Sequence, residues 1–343
     1  MKSRSKVAVV ILNYNTKKLL EQFIPLVKAY SSNAQIVVAD NASPDDSVIF
    51  LKSSHPDVEV IELSQNLGFC GGYNKSLKQI DAEYFVLLNS DVEVTPGWLD
   101  PLVSLLDSNP EIACCQPKIK SFYNKKEFEY AGAAGGFIDY LGYPFCRGRI
   151  FDTLEKDSLQ YDNTCQIFWA SGACMCIRAE LFKQFGGFDE DFFAHMEEID
   201  LCWRLQRAGY KVYYSHISEV YHLGGGTLNY DNPRKVFLNF RNGLFMMFKN
   251  LNSNQLIPII YIRLVLDGVA GIQFLIKGKF KSFLAILNAH FSFYRNINDL
   301  KRKRKNIPIK TESKLPIYNK SIVVRYFIKN QKTFNQLNIE LKH

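Results

Sequence analysis

Tyr84-Phe85-Val86-Leu87-Leu88-Asn89-Ser90-Asp91 is the stretch that decides the fold. The apolar run from Tyr84 to Leu88 is unbroken and stops at Asn89. A run without polar alternation reads as a strand buried on both faces, as in parallel sheets covered by helices. Asp91 then falls at the strand's carboxyl end, the edge where open α/β sheets bind ligands. A carboxylate there can hold a divalent cation against a diphosphate, or it can cap the following turn.

The chain before this stretch repeats the theme. Residues 7–12, 36–39 and 58–63 are short apolar runs, separated by segments of helical spacing such as Leu19, Leu20, Phe23, Leu26 and Val27. This alternation predicts βαβ units and a Rossmann-like, mostly parallel sheet flanked by helices. Pro96-Gly97 punctuates the start of a further helix over residues 98–106. Residues 118–164 lose the pattern in glycine, tyrosine and charge, which predicts a long irregular region facing substrate. Residues 167–178 read as a strand, followed by a short helix and the turn Gly186-Gly187-Phe188-Asp189.

Hydrophobic residues make up 47% and aromatics 14% of the 343 residues, enough to exclude a disordered chain. Charge is unevenly spread: residues 231–343 carry 21 of the 42 Lys and Arg but only 5 of the 34 Asp and Glu. The expected organisation is therefore a catalytic domain over 1–230, with a nucleotide-binding part (1–117) and an acceptor-side part (118–230). A helical membrane-associating region (231–305) and a basic tail (306–343) follow. The start of the chain is polar and residues 7–12 are too short for a signal sequence, which predicts a cytosolic catalytic part. The eight cysteines include no CxxC pair and no secreted-type framework, so they read as reduced, mostly buried thiols.

Several residues can carry chemistry. Asp40, in Asp40-Asn41-Ala42-Ser43, follows the second strand and can grip a nucleoside, while Ser43 and Asp45 can equally start a helix. Asn66-Leu67-Gly68-Phe69 opens a glycine-rich turn that lets backbone approach a ligand or turn tightly into a helix. Glu197, Glu198 and Asp200 crowd the start of a helix that Gly209 ends. The helix dipole favours such carboxylates, and their mutual repulsion raises at least one pKa into the range of a general base. His222, before a glycine run through Thr227, can join a diphosphate site as a neutral imidazole.

In this order the motifs resemble glycosyltransferase family two, inverting enzymes of GT-A fold, especially the bacterial rhamnosyltransferase-like branch. The resemblance rests on Val9-Val10-Ile11-Leu12-Asn13-Tyr14-Asn15, Asp40-Asn41-Ala42-Ser43, Asn66-Leu67-Gly68-Phe69, Leu88-Asn89-Ser90-Asp91 and Glu197-Glu198-Ile199-Asp200-Leu201-Cys202-Trp203-Arg204. It covers residues 7–250. It implies that Asn13, Asn15, Asp40, Asn66, Gly68, Asn89 and Asp91 bind a UDP- or dTDP-sugar. Asp91 and His222 would hold Mg²⁺ or Mn²⁺, and Glu198 or Glu197 would be the catalytic base. Trp169, Asp200 and Arg204 are expected on the acceptor side, with a lipid-linked glycan as acceptor. The chain departs from the family at Asn89, where many members carry an aspartate, and at Glu198, where aspartate is more frequent.

Residues 256–276 are long enough, about 31 Å as a helix, to cross a bilayer. Arg263 and Asp267, Pro258 and two glycines argue against that, and a single span would export the cluster Lys301-Arg302-Lys303-Arg304-Lys305. Helices lying on an anionic membrane surface at the cytoplasmic face fit better. A nucleotidyltransferase is the rival enzyme class, but residues 10–15 lack the glycines and cation of its phosphate loop. Nucleic acid is not an expected partner, because the basic region is apolar and helical before its Lys/Arg run.

Overall fold

The computed structural model describes residues 4–224, 232–308 and 315–341. In chain order the first half runs β1 (Ser5–Asn13), α1 (Lys17–Tyr30), β2 (Gln35–Asp40), α2 (Ser47–Ser54), β3 (Glu59–Glu62), α3 (Gly68–Leu77) and β4 (Ala82–Asn89). Next come β5 (Val92–Val94), α4 (Asp100–Ser108), β6 (Ile112–Ser121), β7 (Gly136–Ile138), β8 (Pro144–Cys146), β9 (Arg149–Ile150), β10 (Thr153–Leu154), β11 (Cys165–Ile167) and β12 (Cys174–Arg178). The remainder is α5 (Ala179–Gln184), α6 (Glu197–Arg207), β13 (Lys211–His222), α7 (Pro233–Asn250), α8 (Ser253–Ile276), α9 (Phe280–Arg295) and α10 (Ile297–Lys305).

The main sheet has the order β11-β13-β6-β12-β4-β1-β2-β3, with β5 added beside β13. β1 pairs in parallel with β2 and with β4, and β3 extends β2. β6 and β13 run parallel to each other, whereas β12 is antiparallel to both β4 and β6. Successive side chains of a strand point to opposite faces. Val9, Val86 and Leu88 accordingly meet Leu20, Ile24 and Leu102 of α1 and α4, while Val10, Phe85 and Leu87 meet Cys70, Tyr73 and Leu77 of α3. Helical cover on both faces is why these strands read as unbroken apolar runs.

Two expectations are corrected. Residues 118–164 hold more order than expected: β6 continues to Ser121, and among the turns and bends that follow β7–β10 form a four-stranded sheet of their own. Its strands are too short to show alternation. The small residues around it serve close packing, since a Cβ on Gly136 would sit 2.2 Å from the Trp169 indole. The strand expected over 167–178 is two strands, β11 and β12. Ser171 breaks it by donating its N–H to Gln116 and its hydroxyl to the Ala131 carbonyl.

The expected boundary near residues 229–230 lies outside the described residues, and the core runs on beyond it. Leu244, Met246 and Met247 of α7 share one apolar cluster with Phe85 and Phe168. Further on, Tyr318 and Phe334 pack on Phe145 and Phe137 of the small sheet. All eight cysteines are free and buried, as expected.

A buried ionic network ties α7 to the catalytic part. Lys249 Nζ lies 2.6 Å from Asp189 and 2.9 Å from Asp200, whose other oxygen accepts from Asn250 at 2.8 Å. Lys249→Ala should leave the fully buried Asp200 with only Arg204 as cation and destabilise the fold by about 3–5 kcal/mol. Urea unfolding of the wild type and variant measures this, and a difference below about 1 kcal/mol would show that the network contributes little.

Candidate active site

The parallel register sets one wall of the cleft. Asn13 and Asp40 end β1 and β2 side by side, and Asn89 lies opposite Leu12. Asn13 Nδ2 donates to Asp40 Oδ2 at 2.7 Å and to Ser43 Oγ at 2.9 Å, while Asp40 Oδ1 accepts the Ser43 N–H. Both Asp40 oxygens are thus engaged, each with one further lone pair available. Asn15 is exposed at φ +57° and donates its N–H to Ser43 Oγ. Thr16 joins this edge to the next strand: its hydroxyl bonds Asn13 Oδ1 at 2.5 Å and Ser90 Oγ at 3.1 Å.

Asp91 follows directly and meets His222, brought over by pairing of β5 with the end of β13. His222 Nε2 lies 3.1 Å from Asp91 Oδ1, and His222 Nδ1 lies 3.1 Å from Glu129 Oε2. Burial disfavours a charged imidazole, but the two carboxylates outweigh it and raise the His222 pKa to about 10. Burial likewise opposes ionisation of Asp91, and His222 reverses the balance, leaving its pKa lowered. Away from a metal the two acids therefore favour the protonated imidazole, and ligation of a cation through Nε2 would require that proton to leave. Glu129 was not among the expected site residues. The sequence signal for it is faint, an acidic residue just before the small-residue run 131–136.

The second acidic focus opens α6 behind a strained loop. Phe193, His195 and Met196 all have positive φ, of 62°, 71° and 71°, a conformation costing about 1–3 kcal/mol per residue. Glu197 is buried, and its burial and the adjacent Glu198 push its pKa well up. Glu198 is less enclosed, and burial raises its pKa to about 7. One oxygen of each carboxyl has no hydrogen-bond partner. Two residues of α7 hold this loop: Asn242 Nδ2 reaches the carbonyls of Phe192, Ala194 and His195 at 3.0, 2.9 and 2.7 Å, and Arg241 donates to the Asp191 and Phe192 carbonyls. Arg241-Asn242-Gly243, a polar and glycine interruption of an apolar helix, was the available signal. Lys235 lies within electrostatic range of His195 in this loop and of Glu129 beside His222.

Other expected residues have structural places. Trp169 is buried and donates its indole N–H to the Phe137 carbonyl. Asp200 and Arg204 pair at 2.8 Å inside the core, and Arg204 also bonds the Phe185 and Gly187 carbonyls. None of the three offers a free polar group to an acceptor. Asn66 Oδ1 accepts the Gly68 N–H and an Asn41 amide hydrogen, fixing the entry to α3. Gly68 makes room for protein and not for ligand: at φ +70° its Cβ would lie 2.6 Å from the Phe193 ring. Asn89 donates its backbone N–H to the Ala173 carbonyl. Gly225, Gly226 and Thr227 lie outside the described residues.

Residues 8–185, which contain the whole donor-side edge, match the family described as glycosyl transferase family 2. The chain belongs to this family. Among curated relatives, the glycosyltransferase is 29% identical over 230 residues to the N-acetylglucosaminyl-diphospho-decaprenol L-rhamnosyltransferase of Mycobacterium tuberculosis, covering 62% of this chain and 75% of that one. It is 24% identical to the low-salt glycan biosynthesis hexosyltransferase Agl10 of Haloferax volcanii (79% and 85%) and 20% identical to the rhamnosyltransferase WbbL of Escherichia coli (73% and 94%). Two solved structures share the fold. GalNAc-T7, solved with UDP, GalNAc and Mn²⁺, has a TM-score of 0.51 at 18% identity over 68% of this chain and 48% of its own. The mannosyltransferase PcManGT from Pyrobaculum calidifontis, solved with GDP-Man and Mn²⁺, has 0.50 at 15% over 85% and 88%. The GT-A architecture is thereby established, and the protein is a glycosyltransferase.

Asn242→Ala would release three carbonyls of the strained loop. Turnover of this glycosyltransferase should fall on the order of a hundredfold while nucleoside diphosphate affinity stays within about twofold, because the loop carries Glu198 and not the donor edge. Titration calorimetry beside a transfer assay separates the two effects; an equal loss in both would assign Asn242 to overall stability instead.

Proposed function

We propose that the glycosyltransferase moves a sugar, rhamnose by the names of its relatives, from a UDP- or dTDP-sugar to a hydroxyl of a lipid-linked glycan at the cytoplasmic membrane face, with inversion. The observation that carries this reading is Glu198. It has an unpartnered carboxyl oxygen and a pKa near 7, and it follows a strained loop whose Phe193 carbonyl accepts the Phe69 and Cys70 N–H groups at the start of α3. A base with its pKa near ambient pH is half ionised and still strong enough to take a proton. Glu197 is the more buried of the two, and its burial and the adjacent Glu198 push its pKa well up, which favours Glu198 as the base.

Asp91 and His222 fit a divalent cation. Mg²⁺ and Mn²⁺ are commonly held by one or two protein ligands and completed by substrate phosphates. This matches a site where Asp91 and His222 already meet, a cation held by both taking the place of the proton that the imidazole otherwise carries. Such a cation would neutralise charge on the leaving diphosphate. Asn13, Asp40, Asn15 and Asn89 line the edge that receives the nucleoside and sugar. Glu198 takes the proton of the acceptor hydroxyl, whose oxygen forms the new bond to the anomeric carbon as the old bond's electron pair leaves with the diphosphate. Attack and departure on opposite faces invert that carbon.

The membrane part of the reading rests on α8 and α9. The helix Ser253–Ile276 is long and apolar enough to cross a bilayer, yet its charged side faces protein. Arg263 donates to the Leu141 carbonyl and lies over the Tyr143 ring, and Asp267 meets both Arg263 and His290. Its outer face exposes Ile257, Tyr261, Val265, Val269, Ile272 and Ile276, and α9 exposes Phe280, Leu284, Leu287, Phe291 and Tyr294. An apolar stripe flanked by Lys277, Lys279 and Lys281 suits a helix pair lying in a headgroup layer.

Glu198→Gln should lower turnover about 10²–10⁴-fold with donor affinity retained. In the wild type, kcat/KM should fall about tenfold per pH unit below about 7, because the raised pKa leaves Glu198 protonated there; near-normal turnover in the variant would remove Glu198 as the base. Asp91→Asn should abolish the strengthening of nucleoside diphosphate binding by Mn²⁺ in calorimetry, and an unchanged metal effect contradicts the assignment. Sedimentation with anionic vesicles should capture the chain at low salt and less of it as salt rises. No capture at low salt excludes the membrane surface.

A further inference from the structure

Between α7 and α9 runs an open groove of about 430 Å³, lined by Pro233, Arg234, Phe237, Lys281, Leu284 and Ala285. Its floor is apolar and its rim carries two cations. Arg234 and Lys281 are both exposed, and no carboxylate of the described residues pairs with either. Surface cations usually find acidic neighbours, and this end of the chain has few.

The position of the groove gives it meaning. At one end the Arg234 guanidinium lies 4.8 Å from the Phe193 ring, and Phe193 begins the strained loop that leads into Glu198. At the other end the groove shares Leu284 with the exposed apolar stripe of α9. A ligand lying along it would therefore have anionic groups beside the base-bearing loop and an apolar chain leading to the membrane-facing stripe. An inorganic phosphate has no part to cover Phe237 and Ala285, and a free glycan has nothing to neutralise Arg234 and Lys281. An anionic group on an apolar chain satisfies both requirements, and among such molecules the lipid-linked acceptor of the proposed reaction, an isoprenoid diphosphate by the name of a relative, is the one whose glycan must reach Glu198.

We propose that this groove seats the diphosphate and first isoprene units of a polyisoprenyl-diphosphate-linked acceptor. Arg234 and Lys281 take the phosphates, and Phe237, Leu284 and Ala285 take the chain. This rests on the proposed transfer to a lipid-linked glycan and adds how the acceptor is anchored: the diphosphate fixes the depth of the glycan, and its hydroxyl is thereby delivered to Glu198. The groove also gives the enzyme a means of preferring lipid-diphosphate acceptors to free sugars of the same structure.

The test uses the full chain and farnesyl diphosphate below its aggregation concentration. The donor edge is filled by saturating UDP or dTDP with Mn²⁺, and binding is followed by calorimetry. Saturable binding is expected, with inorganic diphosphate and farnesol each weaker by about tenfold or more. Arg234→Ala with Lys281→Ala should weaken farnesyl diphosphate about tenfold and leave nucleoside diphosphate affinity unchanged. Leu284→Gln should weaken farnesyl diphosphate and not inorganic diphosphate. All three side chains are exposed, so the variants keep their fold. Equal binding of inorganic diphosphate, undiminished binding in the double variant, or displacement by the nucleoside diphosphate would each overturn the proposal. A chain that binds no nucleoside diphosphate contradicts the proposed function instead. Farnesyl diphosphate binding that is sensitive to Arg234 and Lys281 would still support the groove in that case.

Discussion

The in-register parallel pairing of β1 between β2 and β4 is the constraint on which the site depends. It aligns the carboxyl ends of three strands, so that Asn13, Asp40 and Asn89 emerge on one edge whatever follows them. A slip of one residue would turn each side chain to the opposite face and exchange the α1 side of the core for the α3 side. The complete burial of Val9, Val10, Phe85 and Val86 leaves no such freedom. The hydrogen bonds through Thr16 and Ser90 then carry the alignment from the β2 end to Asp91, and β5 with β13 delivers His222 to it. Packing thus fixes the donor side, and hydrogen bonds refine it.

The acceptor side is built on the opposite principle. The loop before α6 is strained at three non-glycine residues, and two adjacent carboxyls are buried at the helix start. Neither feature is stable by itself. The helix N-terminus offsets part of the cost, protonation of Glu197 removes one charge, and the Arg241–Asn242 pair satisfies the carbonyls that the distorted backbone turns inward. A loop held this way from α7 explains why the apolar core continues past residue 231. The helix supports this loop as well as beginning the C-terminal helical region.

What was legible in the sequence follows the range of the interactions. The runs 7–12 and 84–88 announced their strands because two-faced burial is written locally, residue by residue. The donor-edge residues were found because they end those runs. Glu129 and Asn242 were not, because their partners are remote: Glu129 is 93 positions from His222, and Asn242 is 48 from Ala194. No local period reports such pairings. Asp200 and Arg204 show the converse. A charged residue in the first turns of a helix looks the same in sequence whether it faces a cleft or an internal network, and here Lys249 and Asn250, far along the chain, decide for the network.

The same ambiguity bears on α8, where hydropathy alone favours a span and the distribution of polarity does not. A spanning helix in lipid keeps its charges toward a protein or aqueous interior, and Arg263, Asp267 and His290 do point inward. What they meet is the Leu141 carbonyl and the Tyr143 ring, on the turn between β7 and β8. That turn belongs to a sheet packed against the nucleotide-binding fold. For α8 to cross a bilayer, either this sheet would enter the hydrocarbon or the buried ion pair would be torn from it, and each alternative costs several kcal/mol. Lying flat costs neither: the inward face keeps its polar contacts and the outward stripe loses only water. On the proposed membrane reading, the catalytic cleft and the lipid surface would then be held in a fixed relation.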